Sequence, residues 1–289
     1  MANILKALSE GTEANGGFVV PEILSREILA YVQANTVTLD DMQRVDMTSD
    51  ELRLPKLTGG STVRLGVGEN STITGGDIAF GRTTMSAVKF AALMTASTEL
   101  LEDAPQVVAN IISEQMGKDL GLAIDNQILG TSTTNFADAI GYTGNASNSI
   151  SAGTLSWEAF VSGSNLLLQD NQPQPDVMYT NPVNLRKLQL LTDSSGRQLL
   201  NNETYGSPLL KEGVLGTFNG MKIKTTTQLT TSSIVLAKSG QYGYYGVRRN
   251  IKFNRFYEIG SDDFIFQSNM RCAFAAKYKE AYALMHHVA

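Results

Sequence analysis

The chain has 289 residues, a formal net charge of −5 and a single cysteine, Cys272. That length allows one large domain or two ordinary ones. The acidic balance, with no dense basic patch, argues against gripping DNA by phosphate neutralisation, and one cysteine with no Cys/His cluster excludes an intrachain disulfide and a zinc site.

Charged residues make up only 18% of the chain, which fits a subunit whose faces meet neighbours. Met1 to Glu10 lacks the apolar core of a secretory signal. No apolar run approaches the roughly 20 residues that span a bilayer. The expectation is a protein made and kept in the cytoplasm.

Residues 1–17 are short, polar and glycine-containing, and read as an arm. Gly16-Gly17 precede Phe18-Val19-Val20-Pro21, and Glu22 to Gln33 carries apolar residues near helical spacing. Leu52 to Leu57 alternates like a strand, with Pro55 pointing to an edge. Thr58 to Arg82 is rich in glycine, serine and threonine and has few residues able to build a core. It is expected to form a projecting two-stranded hairpin, which is marginal alone in water and needs a neighbour.

Met85 to Thr95 reads as a strand. Ser97 caps a short turn, and Asp103 and Pro105 start the clearest helix in the chain. Val108, Ile112, Met116, Leu120, Ile124 and Ile128 recur at steps of four, with Ile111 and Ala123 expected beside them. Gln115, Lys118, Asp119 and Asn126 fall on the other side, and Gly130 is a natural stop. Thr131 to Thr154 reads as loop with a short hairpin.

Ser156 caps a second helix whose face is expected to hold Trp157, Phe160, Val161, Leu167 and Leu168. A strand from Val177 to Thr180 runs into Asn181-Pro182, an N-cap with proline at the first helical position, opening a helix to about Leu191. Asp193 to Gly196 is a turn. Met221 to Thr227, Ser233 to Ala237, Tyr244 to Val247 and Ile251 to Phe256 are candidate strands. Phe264 to His287 holds two long strands or one bent one.

Chemistry finds little footing. The only histidines, His286 and His287, are adjacent near the C-terminal end and read as a solvated tail or a last-strand pair. Gly66-Val67-Gly68 lacks the third glycine and the setting of a dinucleotide fingerprint. Glu99, Glu102 and Asp103 sit where a helix starts and suit its dipole. Asp262-Asp263 reads as a polar turn, and Cys272 as a small core residue. Arg248 and Arg249, with Lys252 and Arg255, form a basic cluster expected on a solvated face or in an intersubunit salt bridge. Tyr242, Tyr244 and Tyr245 are core or interface residues.

The order of these segments resembles the tailed-phage major capsid proteins of the Hong Kong 97 type. The likeness runs from Gly16-Gly17 to Pro21, through Leu52 to Leu57 and Phe80 to Thr95, to Thr98-Glu99-Leu100-Leu101-Glu102-Asp103-Ala104-Pro105. It continues at Met178-Tyr179-Thr180-Asn181-Pro182, Asp193 to Arg197, Leu215-Gly216 with Met221 to Thr226, and Phe274 to Met285, the last resembling a closing peripheral strand.

This resemblance implies an α+β Hong Kong 97-type capsid fold. Residues 1–35 would be the N-terminal arm and short helix, and 36–57 with 83–140 a peripheral domain containing a long spine helix and a β-sheet. Residues 58–82 would be the extended β-hairpin loop, 141–250 an axial α/β domain, and 251–289 a return to the peripheral domain. It implies a major capsid protein, not an enzyme, without cofactor or metal. Its copies would assemble into hexamers and pentamers of an icosahedral shell enclosing double-stranded DNA without sequence-specific binding. Portal and scaffolding proteins would be partners and no membrane would be involved; assembly would take place in the host cytoplasm and the product would be a virion.

Arg64, Glu69, Arg82, Tyr244, Tyr245, Arg248 and Arg249 are the expected intersubunit contacts. Residues 58–82 hold no lysine, with Lys56 and Lys89 at the base, so cross-linking of the shell through this loop is not expected. The sequence starts almost directly with the arm, which implies scaffolding by another protein, none, or a segment outside this sequence. Two rivals stand beside this reading: an encapsulin-like nanocompartment shell and a soluble α/β hydrolase.

Overall fold

The structure, a computed structural model, describes residues 35–59, 77–103, 105–153, 155–170, 172–192, 220–258 and 262–288, and positions 28, 30–32, 65, 210–211, 214–215, 217–218 and 260. The expected arm, most of the 58–82 loop and the Asp193 to Gly196 turn lie outside these residues.

In chain order the strands are β1 (Gln43–Asp46), β2 (Glu51–Gly59), β3 (Ala79–Ser86), β4 (Val88–Ser97), β5 (Asn148–Ser151) and β6 (Val177–Thr180). They continue with β7 (Leu210–Lys211), β8 (Val214–Leu215), β9 (Thr217–Phe218), β10 (Met221–Thr225), β11 (Ile234–Ala237), β12 (Gly243–Glu258), β13 (Asp263–Ala276) and β14 (Tyr282–His286). The helices are α1 (Thr98–Asp103), α2 (Pro105–Leu129), α3 (Trp157–Gln169) and α4 (Pro182–Gln189). A four-stranded sheet runs β1-β12-β13-β4 and a six-stranded sheet β5-β14-β11-β6-β10-β9, with β2-β3 and β7-β8 as separate pairs. The chain is thus mixed α+β.

Helix α2 joins the two large sheets. It starts at Pro105, whose missing N–H would have no helical partner there anyway. The six residues at steps of four from Val108 to Ile128 are all buried. Ile111 is not beside them: it is 57% exposed. A row at steps of four drifts around the axis, because each residue turns about 100°. The second buried row therefore lies on the leading side, at Ser113, Gly117, Gly121, Asp125 and Leu129.

The two glycines of this row, Gly117 and Gly121, admit the helical residues Ile28, Tyr31, Val32 and Asn35. A Cβ on Gly117 would lie 2.4 Å from Tyr31 Cβ, and one on Gly121 3.2 Å from the Val32 carbonyl oxygen. Gly130 ends α2; its N–H donates to the Asn126 carbonyl at 2.9 Å, and a Cβ there would lie 2.2 Å from that oxygen.

Strand parity distributes the core. Along β6, β11 and β14, Val177, Tyr179, Val235, Ala237, Tyr282 and Leu284 face a core shared with α2 and the four-stranded sheet. Their alternates Met178, Ile234, Leu236, Ala283 and Met285 face a second core under α3 and α4. These strands are buried on both faces, so they read as apolar runs instead of alternating ones. A third, small core holds Met47, Met85, Ala273 and Ala275, with Leu52 and Leu54 of β2 packed against it.

Three expectations change. The two segments expected as separate strands, Tyr244 to Val247 and Ile251 to Phe256, form one strand, β12, with register shifts between Val247 and Arg249 and between Arg249 and Lys252. Bulges absorb the extra residues without ending the ladder, so β12 passes through position 250 unbroken.

The segment from Phe264 to His287 takes the first of its two expected forms, two strands, which lie in two sheets; the closing one, β14, pairs with β11 and β5. The two further changes concern the loop before α3 and α3 itself. Among its described residues the loop from Thr131 to Thr154 contains no hairpin; its β5 pairs parallel with β14. In α3 the buried residues are Phe160, Gly163, Ser164 and Leu167, whereas Trp157 and Leu168 are exposed. The small pair at 163–164 lets the helix sit close to Leu236 and Met285, and small residues carry no apolar signal in the sequence.

Candidate assembly surfaces

Among the described residues, the β2–β3 pair is anchored through its base, and Lys56 further along pairs with Glu280 at 3.8 Å. Its base, Leu52, Leu54 and Met85, belongs to the small third core. Further along, Leu57 lies opposite Phe80, and these are 54% and 72% exposed, with Ile78 at 60%. Large apolar side chains thus stand in solvent where the ladder leaves the body. Arg82 is exposed on β3, opposite Pro55. Arg64 and Glu69 lie outside the described residues.

Tyr244 and Tyr245 point to opposite faces of the four-stranded sheet. Tyr245 is 7% exposed within the main core, where Cys272 is buried as well. Burial pushes the Cys272 thiol up to about 12, with Tyr245 opposing the shift. Tyr244 packs beside the third core, and the Lys277 ammonium sits 5.2 Å from its ring centroid. Arg248 pairs with Asp50 at 3.5 Å, and Arg271 meets the same carboxylate at 2.9 Å. Arg249 donates to the Asn269 side chain. Of the seven expected contact residues, the structure brings Arg248 and Arg249 together and separates the two tyrosines.

A polar cluster that the sequence did not single out lies at the junction of the sheets. Lys224 of β10 pairs with Asp41 at 2.7 Å and donates to the Val37 carbonyl at 3.1 Å. The Tyr179 hydroxyl donates to Asp41 at 2.5 Å. The Tyr242 hydroxyl is 2.9 Å from that of Tyr179 and 3.2 Å from the Thr38 carbonyl. Burial pushes both phenols well above their ordinary value, so they stay neutral.

Asp125 of α2 accepts from the Val37 N–H at 2.9 Å and the Thr38 hydroxyl at 2.6 Å. Burial raises its carboxyl above the ordinary value against these hydrogen bonds. Residues 37–41 are thereby tied to α2, to both strands of the β6–β10 pair and to the approach to β12.

A second polar tie links the start of β6 to the end of β11. Asp176 accepts from the Ser239 N–H at 2.7 Å, the Ser239 hydroxyl at 2.6 Å and Lys238 at 3.0 Å. Burial raises its carboxyl, but these donors outweigh burial and hold it below the ordinary value. A lowered folded-state value makes its contribution complete above the unfolded value and lost as pH falls through the folded one. The stability difference between wild type and Asp176→Asn is therefore expected at neutral pH and should shrink below about pH 4. Denaturant unfolding at both pH values checks it.

Among the described residues, no three His, Cys, Asp or Glu side chains come together as a metal site would require. No helix of the described residues is long and apolar enough to cross a membrane.

The comparisons agree with this architecture. A solved chain from Mycobacterium phage Adephagia superposes with a TM-score of 0.70 at 15% identity, covering 87% of this chain and 90% of its own. One from Microbacterium phage Oxtober96 gives 0.71 at 12% identity, covering 87% and 91%. The capsid of a native GTA particle, computed with C5 symmetry, gives 0.68 at 13% identity, covering 87% and 90%. At such identities the likeness shows the fold. No curated protein matches the sequence. The profile of the phage capsid family matches residues 16–286, a span that takes in both large sheets, the β2–β3 pair and every helix described above, and the chain belongs to that family.

Proposed function

We propose that this chain is the repeating subunit of a closed icosahedral shell, built from hexamers and pentamers and enclosing double-stranded DNA. The observation that carries the reading is the anchored β2–β3 base with exposed Leu57, Ile78 and Phe80 beyond it. Apolar side chains held out on a two-stranded ladder gain burial when another molecule lies on them. In a family of shell proteins, that molecule is a second copy.

In this proposal the four-stranded sheet, α2 and the β2–β3 pair form the peripheral part. The six-stranded sheet with α3 and α4 forms the axial part. Strands β12 and β13 then belong to the former and β14 to the latter. The function is geometric: heterologous contacts repeated around a ring close into capsomers, and the net charge of −5 suits a container that does not grip its cargo. Portal and scaffolding proteins are the partners in this scheme, and the virion is the final location.

Electron microscopy and gel filtration of the purified chain test it. Shells, tubes or capsomers are expected. A monomer that persists at high concentration would overturn the reading.

A further inference from the structure

The outer face of the four-stranded sheet, opposite α2, is electrically polarised along its strands. At one end the register sets Lys89 opposite Arg271 and Arg271 opposite Arg249, a row of three cations across three strands. Lys252 follows, opposite Asn269, and Arg249 donates to that same Asn269, which fixes both cations on the outer face. Arg248 lies beside this row. Asp50 pairs with both Arg271 and Arg248, among the described residues one carboxylate for five cations. Lys89, Arg249 and Lys252 are exposed.

At the other end, Glu258 is directly opposite Asp263, and Asp263 is opposite Ser97. Asp262, in a turn with φ 56°, accepts from the Thr98 hydroxyl, which brings Glu99 to the same end. The nearby cation Arg255 is on the inner side, stacked over Phe264 at 3.9 Å.

Like charges directly opposite on neighbouring strands are destabilising, and here both ends of one sheet carry such a pairing. They do not relieve each other. Positions 263 and 271 of β13 are roughly 26 Å apart at about 3.3 Å per residue, about three times the Debye length at physiological salt. Among the described residues the outer face offers the acidic end no cation and the basic end one carboxylate, Asp50, and each end is what the other lacks.

We propose that the basic end of one copy, Lys89, Arg249, Lys252 and Arg271, docks on the acidic end of the next, Glu99, Glu258, Asp262 and Asp263. The contact is head-to-tail, so every copy gives one end and receives the other. Charge complementarity of this kind fixes register and suppresses wrong pairings more than it adds raw affinity. The inference rests on the reading of the chain as a shell subunit and names the surface through which its copies meet.

Charge reversal tests it. One variant carries Lys89→Glu, Arg249→Glu and Lys252→Glu; a second carries Glu99→Lys, Glu258→Lys and Asp263→Lys; a third carries all six. Assembly is scored by gel filtration and electron microscopy at physiological salt. The single-end variants should lose assembly by about tenfold or more, whereas the six-substitution chain, with its polarity inverted but complementary, should recover to within about twofold.

Unfolding transitions matching wild type show that the variants fold. If a reversed end does not fold, glutamine at the same three positions replaces it, with the same loss expected. Folded single-end variants that assemble like wild type, or a folded six-substitution chain that does not recover, overturn the contact while leaving the shell reading intact. Wild-type chain that never assembles overturns the shell reading itself.

Discussion

Replacing Asp41 with alanine is expected to lower the unfolding free energy of the subunit by about 3 kcal/mol. Asp41 is where Lys224 and Tyr179 converge, at 2.7 and 2.5 Å, and the two ion-pair side chains are 12% and 24% exposed. Alanine would leave the ammonium with the Val37 carbonyl and the field of the Asp125 carboxylate, and leave the Tyr179 hydroxyl to share a hydrogen bond with Tyr242 alone. Removing one partner of a largely buried pair costs more than the pair itself is worth, because the remaining charge is stranded. Tyr242→Phe removes only one neutral hydroxyl from the same cluster and should cost about 1 kcal/mol. Denaturant unfolding of the three proteins checks the ordering, and Asp41→Ala with wild-type stability would contradict it.

The second large effect is a reversal of sign. In an exposed helix, glycine to alanine gains up to about 1 kcal/mol from helix propensity. Gly117→Ala should instead destabilise by about 2 kcal/mol, in the range of overpacked cores. Its methyl would meet Tyr31 Cβ at 2.4 Å and the Ile28 carbonyl at 3.0 Å, and neither backbone nor Cβ can swing aside. At Gly121 the nearest atoms are at 3.2 and 3.3 Å, so Gly121→Ala should be much milder. Thermal unfolding of the pair reads the difference directly, and equal effects at both sites would remove the idea that α2 is crossed most tightly at Gly117.

How much was legible follows from which signals are local. The N-caps at Ser156 and Asn181 depend on neighbours two or three residues away and appear as expected, each accepting a backbone N–H. The six-residue apolar row of α2 is likewise periodic and was plain. Its second row was not, because Ser113, Gly117, Gly121 and Asp125 are buried by size and pairing instead of by hydrophobicity.

The partition of β13 and β14 between two sheets depends on strands far away in sequence, and a continuous apolar run does not reveal its partners. The basic cluster at 248–255 was visible as composition. Its opposition to Lys89 and Arg271 is a matter of register, which only the paired strands provide. The Asp41 cluster draws on residues 37–41, 179, 224 and 242, and no single stretch announces it.

Cys272 lies wholly inside the core, and its thiol is held protonated at ordinary pH by burial. Maleimide and iodoacetamide reagents, which attack thiolate, should therefore leave the folded chain untouched. A cysteine engineered at an exposed position such as Ser132 would then be the sole point of attachment for a dye or spin label. Distances between protomers could be measured by fluorescence transfer without first deleting the native sulfur.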